Sequence, residues 1–332
     1  MSDPLLVDDW HPVAASASLL AGQTLAAQLL GEELVLWRDS RGACHAWQDR
    51  CPHRGTRLTL GHVADDALVC RYHAWKFGVS GACLQVPAQP DAPLPGGGAR
   101  VFSAFEIYGL IWVCIGTPPP APPPFPEYAN PKLRKVVCGA YPLHAAGPRI
   151  IENFLDMAHF GTVHDGILGT AEHMEVCDYQ VQAFDDGDGN SGVLATQCMA
   201  LQPQPNSVAQ TGSQVEYTYR VVRPLTAMLT KLPQAQQGFI EAIAIIVQPL
   251  GEELSAVWIV LTVSNADQSD DELRAFQDRI FHQDISILEN QLPKRLPLYS
   301  RAEISVACDR SSLAYRAYLR GIGLRYGVIN EA

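Results

Sequence analysis

The stretch Cys51-Pro52-His53-Arg54-Gly55, with Cys70-Arg71-Tyr72-His73-Ala74-Trp75-Lys76-Phe77 after it, decides how the chain is read; sixteen residues separate His53 from Cys70. Each half offers one soft thiolate and one imidazole, so two loops can close on a single metal cluster. Zinc also accepts two sulfurs and two nitrogens. Zinc motifs, however, usually pair Cys with Cys and His with His, whereas each loop here carries one of each kind. The remaining cysteines, Cys44, Cys83, Cys114, Cys138, Cys177, Cys198 and Cys308, have no histidine at useful spacing and read as buried or incidental residues.

Around these loops, short β-type segments at 33–38, 67–70 and 109–115 alternate with Gly, Pro and Asp turns, with no amphipathic helix among them. The first domain, 1–117, is therefore mostly β. Residues 118–130 read as a connector, semi-rigid because the prolines of the run 117–126 have no amide donor and a fixed φ that preclude helix or central strand there. In 131–332 the texture changes. Residues 149–163 look helical, and long strand-like stretches follow at 192–201, 214–222, 239–250 and 254–264, with a hairpin-like turn at 185–191. Two helices close the chain, one from Ser269 to about Leu292 that opens with an N-capping Ser-Asp-Asp-Glu, the other from Ser311 to about Gly321. This pattern predicts an α+β domain, an antiparallel sheet with flanking helices.

A second constellation lies in Glu152-Asn153-Phe154-Leu155-Asp156-Met157-Ala158-His159-Phe160-Gly161-Thr162-Val163-His164. Asp156 and His159, three apart, would share a helix face. His159 and His164 are five apart, which an ideal helix separates by about 140°. For both to reach one metal the helix must distort or end, and Gly161 is the expected breaker. Two imidazoles and a carboxylate make the facial triad of non-haem Fe(II) sites. The alternative is a surface helix with two solvated histidines, but the mostly apolar surroundings place these polar groups at a buried site. The third ligand should come from Asp284, Glu289 or Asp309. Asp284 shares a helical stripe with Phe281, Ile285 and Leu288, where an unpaired carboxylate is costly. Asp309 reads as a helix cap.

The paired loops, with Arg54-Gly55 and Trp75-x-Phe77 at their flanks, resemble those of Rieske proteins. Asn153-x2-Asp156-x2-His159-x4-His164 resembles the iron motif of Rieske non-haem iron oxygenases, and the two motifs in this order extend the likeness over nearly the whole chain. The layout is most similar to compact vanillate, dicamba and caffeine demethylases and toluenesulfonate methyl-monooxygenase. The likeness implies an all-β Rieske domain followed by a helix-grip catalytic domain. Cys51, His53, Cys70 and His73 would hold a [2Fe–2S] cluster, and His159, His164 and Asp284 a mononuclear Fe(II) that uses O2. Asp156 would bridge to the Rieske histidine of a neighbouring subunit in a cyclic homotrimer, and Asn153 would lie beside the iron. Ala74 departs from the family, which usually has glycine there.

The implied activity is that of a terminal oxygenase that hydroxylates or oxidatively demethylates a small aromatic or heterocyclic molecule. A cis-dihydroxylating dioxygenase and, from another class, a non-catalytic Rieske electron carrier are the alternatives. No GxGxxG fingerprint follows a predicted strand, so NAD(P)H would act only through a separate reductase, with or without a ferredoxin. The net charge of −11 argues against nucleic-acid binding. The apolar runs at 107–115 and 254–263 are too short to span a bilayer, and no secretory leader is evident, so a cytoplasmic protein is expected.

Overall fold

In the computed structural model, which describes residues 3–264, 267–299 and 303–330, two compact units divide the chain between Pro122 and Pro123. In the first unit a short helix, α1 (Pro4–Val7), precedes a six-stranded sheet. Its order is His11–Ala15, Leu110–Cys114, Val101–Ile107, Cys44–Gln48, Glu32–Arg38, Thr24–Leu29, every pair antiparallel. Side chains alternate across a strand. Along Glu32–Arg38 this sends Leu34 and Leu36 into one apolar cluster and Val35 and Trp37 into another, so both faces of the sheet are covered. The second cluster also contains Cys51 and Cys70. A four-stranded antiparallel sheet, His62–Ala64, Ala67–Val69, Lys76–Phe77, Cys83–Gln85, completes the unit.

No helix forms in the polyproline run itself; where it ends, Pro126–Ala129 forms a 3-10 turn within the connector. Proline stands at the start of that turn, where its missing N–H has no helical partner to lose.

In the second unit seven strands form an antiparallel sheet ordered Arg134–Leu143, Leu254–Val263, Glu241–Gly251, Thr226–Pro233, Ser213–Arg223, Ser191–Gln202, Gln180–Asp185. The four long stretches predicted as strands are all strands. Three further strands escape the sequence pattern. Arg134–Leu143 carries Gly139 and Pro142, Gln180–Asp185 is a largely exposed edge, and Thr226–Pro233 lies only two residues beyond Ser213–Arg223. Helices α2 (Gly147–Leu155), α3 (Phe160–Val163), α4 (Asp270–Leu288) and α5 (Arg310–Ile322) follow the chain in that order. Helix α2 packs on Glu241–Gly251, α4 on Arg134–Leu143 and α5 on Ser191–Gln202, and α2 touches both α4 and α5. The capping box predicted at the start of α4 is present, formed by Ser269 and Glu272. The helix ends at Leu288, a turn short of the expectation and ahead of Leu292-Pro293, where proline disfavours helical backbone in the residue before it. Among the described residues no helix is long and apolar enough to cross a membrane.

Candidate metal centres

The two Cys/His loops are built alike. The amide of Gly55 donates to the Cys51 carbonyl at 2.9 Å, and that of Ala74 to the Cys70 carbonyl at 3.0 Å. The amide of Cys51 donates to the Thr56 carbonyl at 2.8 Å, and that of Cys70 to the Trp75 carbonyl at 2.9 Å. Each loop thus needs a left-handed residue four places after its cysteine, Gly55 at φ +77° and Ala74 at φ +55°. Glycine takes that conformation freely; alanine does not. The Ala74 methyl therefore acts through backbone conformation rather than through packing.

Both cysteines are buried, and the rings of His53 and His73 meet edge to face with centroids 4.6 Å apart. Trp75 stacks on His53 at 4.3 Å. Burial pushes the Cys51 thiol up to about 11, and Cys70 beside it pushes the same way, while the His53 and Arg54 amides pull against both. His53 Nδ1 is buried with no hydrogen-bond partner among the described residues. Two thiols, two imidazoles and this orphaned nitrogen fit a cluster with mixed sulfur and nitrogen ligands.

In the second unit the predicted helix over 149–163 is two helices. Helix α2 stops at Leu155, and Asp156 is extended at φ −85°, ψ 134°. Its carboxylate accepts the Ala158 amide at 2.8 Å, a local turn that competes with helix. The break therefore falls at Asp156 and not at Gly161, and Asp156 and His159 do not share a helix face. Gly161 has a different role: a Cβ there would meet the Thr170 carbonyl at 2.7 Å and Met174 Sδ at 2.5 Å, so glycine permits a close crossing of the chain. His159 precedes α3 and His164 ends it, which brings their ring centroids to 4.9 Å.

Asp284 Oδ1 lies 3.2 Å from His164 Nε2 and 3.5 Å from His159 Nε2. One ligand atom from each of the three residues falls within 4.8 Å of the others. The far nitrogens are also engaged. His159 Nδ1 donates to Asp156 Oδ2 at 3.1 Å, and His164 Nδ1 donates to Gln283 Oε1 at 2.9 Å. With both Nδ1 protons so used, both Nε2 lone pairs face Asp284, the donor set of a two-histidine, one-carboxylate metal site. Burial opposes ionisation of Asp156, yet the bond from His159 and the Ala158 amide bring its carboxyl below the usual range. Burial would lower His164, but Asp284 and Gln283 outweigh it and raise its pKa. Asn153 Nδ2 is 3.5 Å from Asp284 Oδ1, in contact but not in a strong bond. Glu289 is elsewhere, accepting the His144 amide at 2.8 Å, and Asp309 accepts the Val306 amide at 2.8 Å. Gln283 carries no signal in the sequence beyond its place next to Asp284.

Two cavities meet at His159 and Asn153. One, with about 680 Å³ of atom-free space counted to its mouth, has His164 and Asp284 in its wall and is otherwise lined mainly by apolar side chains such as Phe154, Phe160, Ile243, Ile259 and Phe281. A concave, largely apolar wall with a few convergent polar groups is the lining of a small-molecule site. The other is polar and is reached by Asp156, Glu152, Arg149, Glu303 and Arg316. There Arg316 Nη2 donates to Glu152 Oε2 at 2.9 Å, while Arg149 and Arg316 both bind Glu303, a network that ties α2 to α5.

Residues 9–102 match the Rieske [2Fe-2S] domain, and residues 143–324 match the vanillate O-demethylase oxygenase C-terminal domain. The chain belongs to the Rieske non-haem iron oxygenases. As a member of that family it is a monooxygenase-type terminal oxygenase whose cofactors are a Rieske [2Fe–2S] cluster and a mononuclear Fe(II), with O2 as co-substrate. An oxygenase domain over its second half leaves the electron-carrier alternative without support. Among Rieske oxygenases it is 32% identical to a probable methylxanthine N7-demethylase, NdmC, of Pseudomonas sp. (strain TJI-51), over 97% of this chain and 96% of that one. The structure of Pseudomonas putida CBB5 NdmA with caffeine superposes with a TM-score of 0.82 at 28% identity, over 95% of this chain and 90% of that one. A stretch of 119 residues, 35% of the chain, is 44% identical to part of the oxidoreductase NdmD of Pseudomonas putida, 20% of that protein.

Proposed function

We propose that this oxygenase N-demethylates a small neutral heterocycle of the methylxanthine kind, using electrons from a separate reductase. The observation that carries this reading is the cavity with His159, His164 and Asp284 in its wall and aromatic and aliphatic side chains over most of the rest, a lining suited to a ring with few charges. Likeness to methylxanthine demethylases along the full chain points the same way.

In this reading Cys51, Cys70, His53 and His73 would hold the cluster, and His159, His164 and Asp284 would hold the Fe(II). When bound, the iron supplies O2 activation with electrons relayed by the cluster. The chain's own groups do the rest. Gln283 and Asp156 keep the two imidazoles turned, the apolar walls exclude water, and Asn153 stands beside the carboxylate ligand. Asp156, reaching the polar cavity, couples His159 to the Rieske histidine of a neighbouring subunit in a cyclic homotrimer. The N-methyl C–H becomes C–OH, and the resulting N–CH2OH loses formaldehyde to leave N–H; O2, two electrons and two protons give that oxygen and one water. The seven cysteines outside the cluster loops form no disulfide, which suits the cytoplasm. The similarity to part of an oxidoreductase supports a partner, with or without a ferredoxin, of matching redox chemistry.

The test is a single turnover. Holoprotein is reduced chemically, freed of reductant and mixed with O2 and caffeine. Formaldehyde and a dimethylxanthine in equal amounts support the reading. Ring hydroxylation or a cis-diol without formaldehyde overturns it.

A further inference from the structure

Opposite each other on Thr226–Pro233 and Glu241–Gly251 stand Lys231 and Glu241, paired in the ladder register. Both line the catalytic cavity, and their side chains are only 4% and 9% exposed. A charge pair in such a place costs several kcal/mol per ion in lost hydration and recovers it only through close geometry and further hydrogen bonds. Neither condition is met. Lys231 Nζ lies 3.5 Å from Glu241 Oε2, and that oxygen has no hydrogen-bond partner among the described residues. An ammonium carries three donors, and the pair leaves them largely unused. Tyr219 Oη, on the same cavity, is likewise buried and without a partner among the described residues. Buried polar groups are normally satisfied, so a loose pair facing a substrate cavity marks where a polar ligand completes it.

We propose that Lys231 and Glu241 are a specificity-determining anchor that takes the cis-amide edge, C(=O)–N–H, of the ring substrate. The ammonium donates to the ring carbonyl, and Glu241 accepts the adjacent N–H. A neighbouring donor and acceptor match the two atoms of that edge and no simple hydrocarbon face. A carboxylate substrate is disfavoured, because the group that would bind Lys231 is repelled by Glu241. The inference rests on the reading of the cavity as the substrate site and gives preference within its ligands to cyclic amides, imides and ureides with a free N–H away from the reacting methyl.

Theobromine and caffeine differ only in that caffeine carries a methyl where theobromine has an imide N–H. Titration calorimetry of anaerobic holoprotein with each, and with vanillate, tests the anchor without turnover. Theobromine is expected to bind about tenfold or more tighter than caffeine, since a site built for an N–H leaves its acceptor unpaired against an analogue that lacks it; vanillate is expected to show no binding. In the double variant Lys231→Met, Glu241→Leu the two purines become equal. Glu241→Gln, which keeps the size of the side chain, narrows the ratio and serves if the double variant does not fold. Equal binding to the unaltered protein, or a ratio untouched by these variants, overturns the anchor. Formaldehyde release from caffeine with an unchanged ratio leaves the demethylase standing without the anchor. A Lys231- and Glu241-dependent preference without formaldehyde release leaves the anchor without the demethylase. If neither purine binds, both fall.

Discussion

Gln283 accepts the Nδ1 proton of His164 at 2.9 Å while its neighbour Asp284 faces the Nε2 of the same ring at 3.2 Å. Two consecutive residues of α4 thus grip both nitrogens of one imidazole. Outer partners of this kind typically contribute 10- to 100-fold to metal affinity, by about that range. Gln283→Leu is expected to weaken Fe(II) binding on that scale, read by titrating Fe(II) into iron-depleted protein. Unchanged affinity would assign the ring's orientation to packing alone.

Asp284→Ala removes the carboxylate that, among the described residues, stands between the two histidines. The expected outcome is loss of the mononuclear iron, with the iron-to-sulfide ratio falling from about three to two towards parity. The reduced Rieske signal remains, since the cluster loops lie in the other unit. Iron and acid-labile sulfide analysis beside the low-temperature spectrum checks both halves; simultaneous loss of the cluster would contradict them.

Ala74 at φ +55° and Gly55 at φ +77° occupy equivalent places in the two cluster loops. A left-handed backbone costs a residue with a Cβ roughly 1 kcal/mol or more, so Ala74→Gly should raise the melting temperature of the cluster's visible absorbance by about 2–4 °C. Gly55→Ala should lower it. A Cβ at Gly55 meets only Arg50 Nε, at an ordinary 3.7 Å, so that change reports conformation rather than crowding.

The Glu272 carboxyl is held below its ordinary value of 4.5 by the backbone amide and hydroxyl of Ser269. A carboxylate depressed by folding adds stability above its unfolded pKa and loses it as the pH falls through the folded one. Glu272→Gln should therefore melt below the unaltered protein at neutral pH, and the gap should begin to narrow only below the ordinary carboxyl range near 4.5 and close as the pH falls through the lowered value of the folded state. A gap that widens in acid would contradict the capping role.

The legible parts of the site were those whose chemistry is local. Cys51, His53, Cys70 and His73 are candidates by ligand type, and Asp284, which the fold sets beside His159 and His164, by being an acid on an apolar helical stripe. Gln283 was not legible, because its partner is 119 residues away and amides are common on helices. The helix break was misplaced for a different reason. Apolar spacing over 149–163 reads as continuous helix, while the side-chain bond from Ala158 to Asp156 that ends it depends on a single carboxylate. Gly161 was credited with breaking a helix when it admits Thr170 and Met174. Glu241 read as an ordinary strand residue and Lys231 lay in a strand the pattern did not show, so only the fold sets them opposite each other and turns them inward. The strand Gln180–Asp185 was missed because an exposed edge has little apolar alternation to detect.

The division at Pro122 and Pro123 has an evolutionary consequence. Every sheet among the described residues begins and ends on one side of it. Prolines donate no amide hydrogen, so neither sheet can recruit a strand from the run between them. A recombination event at that point leaves both halves with complete ladders and intact ligand sets, and selection can pair an existing electron relay with a new oxidising pocket in one step, without first repairing a core.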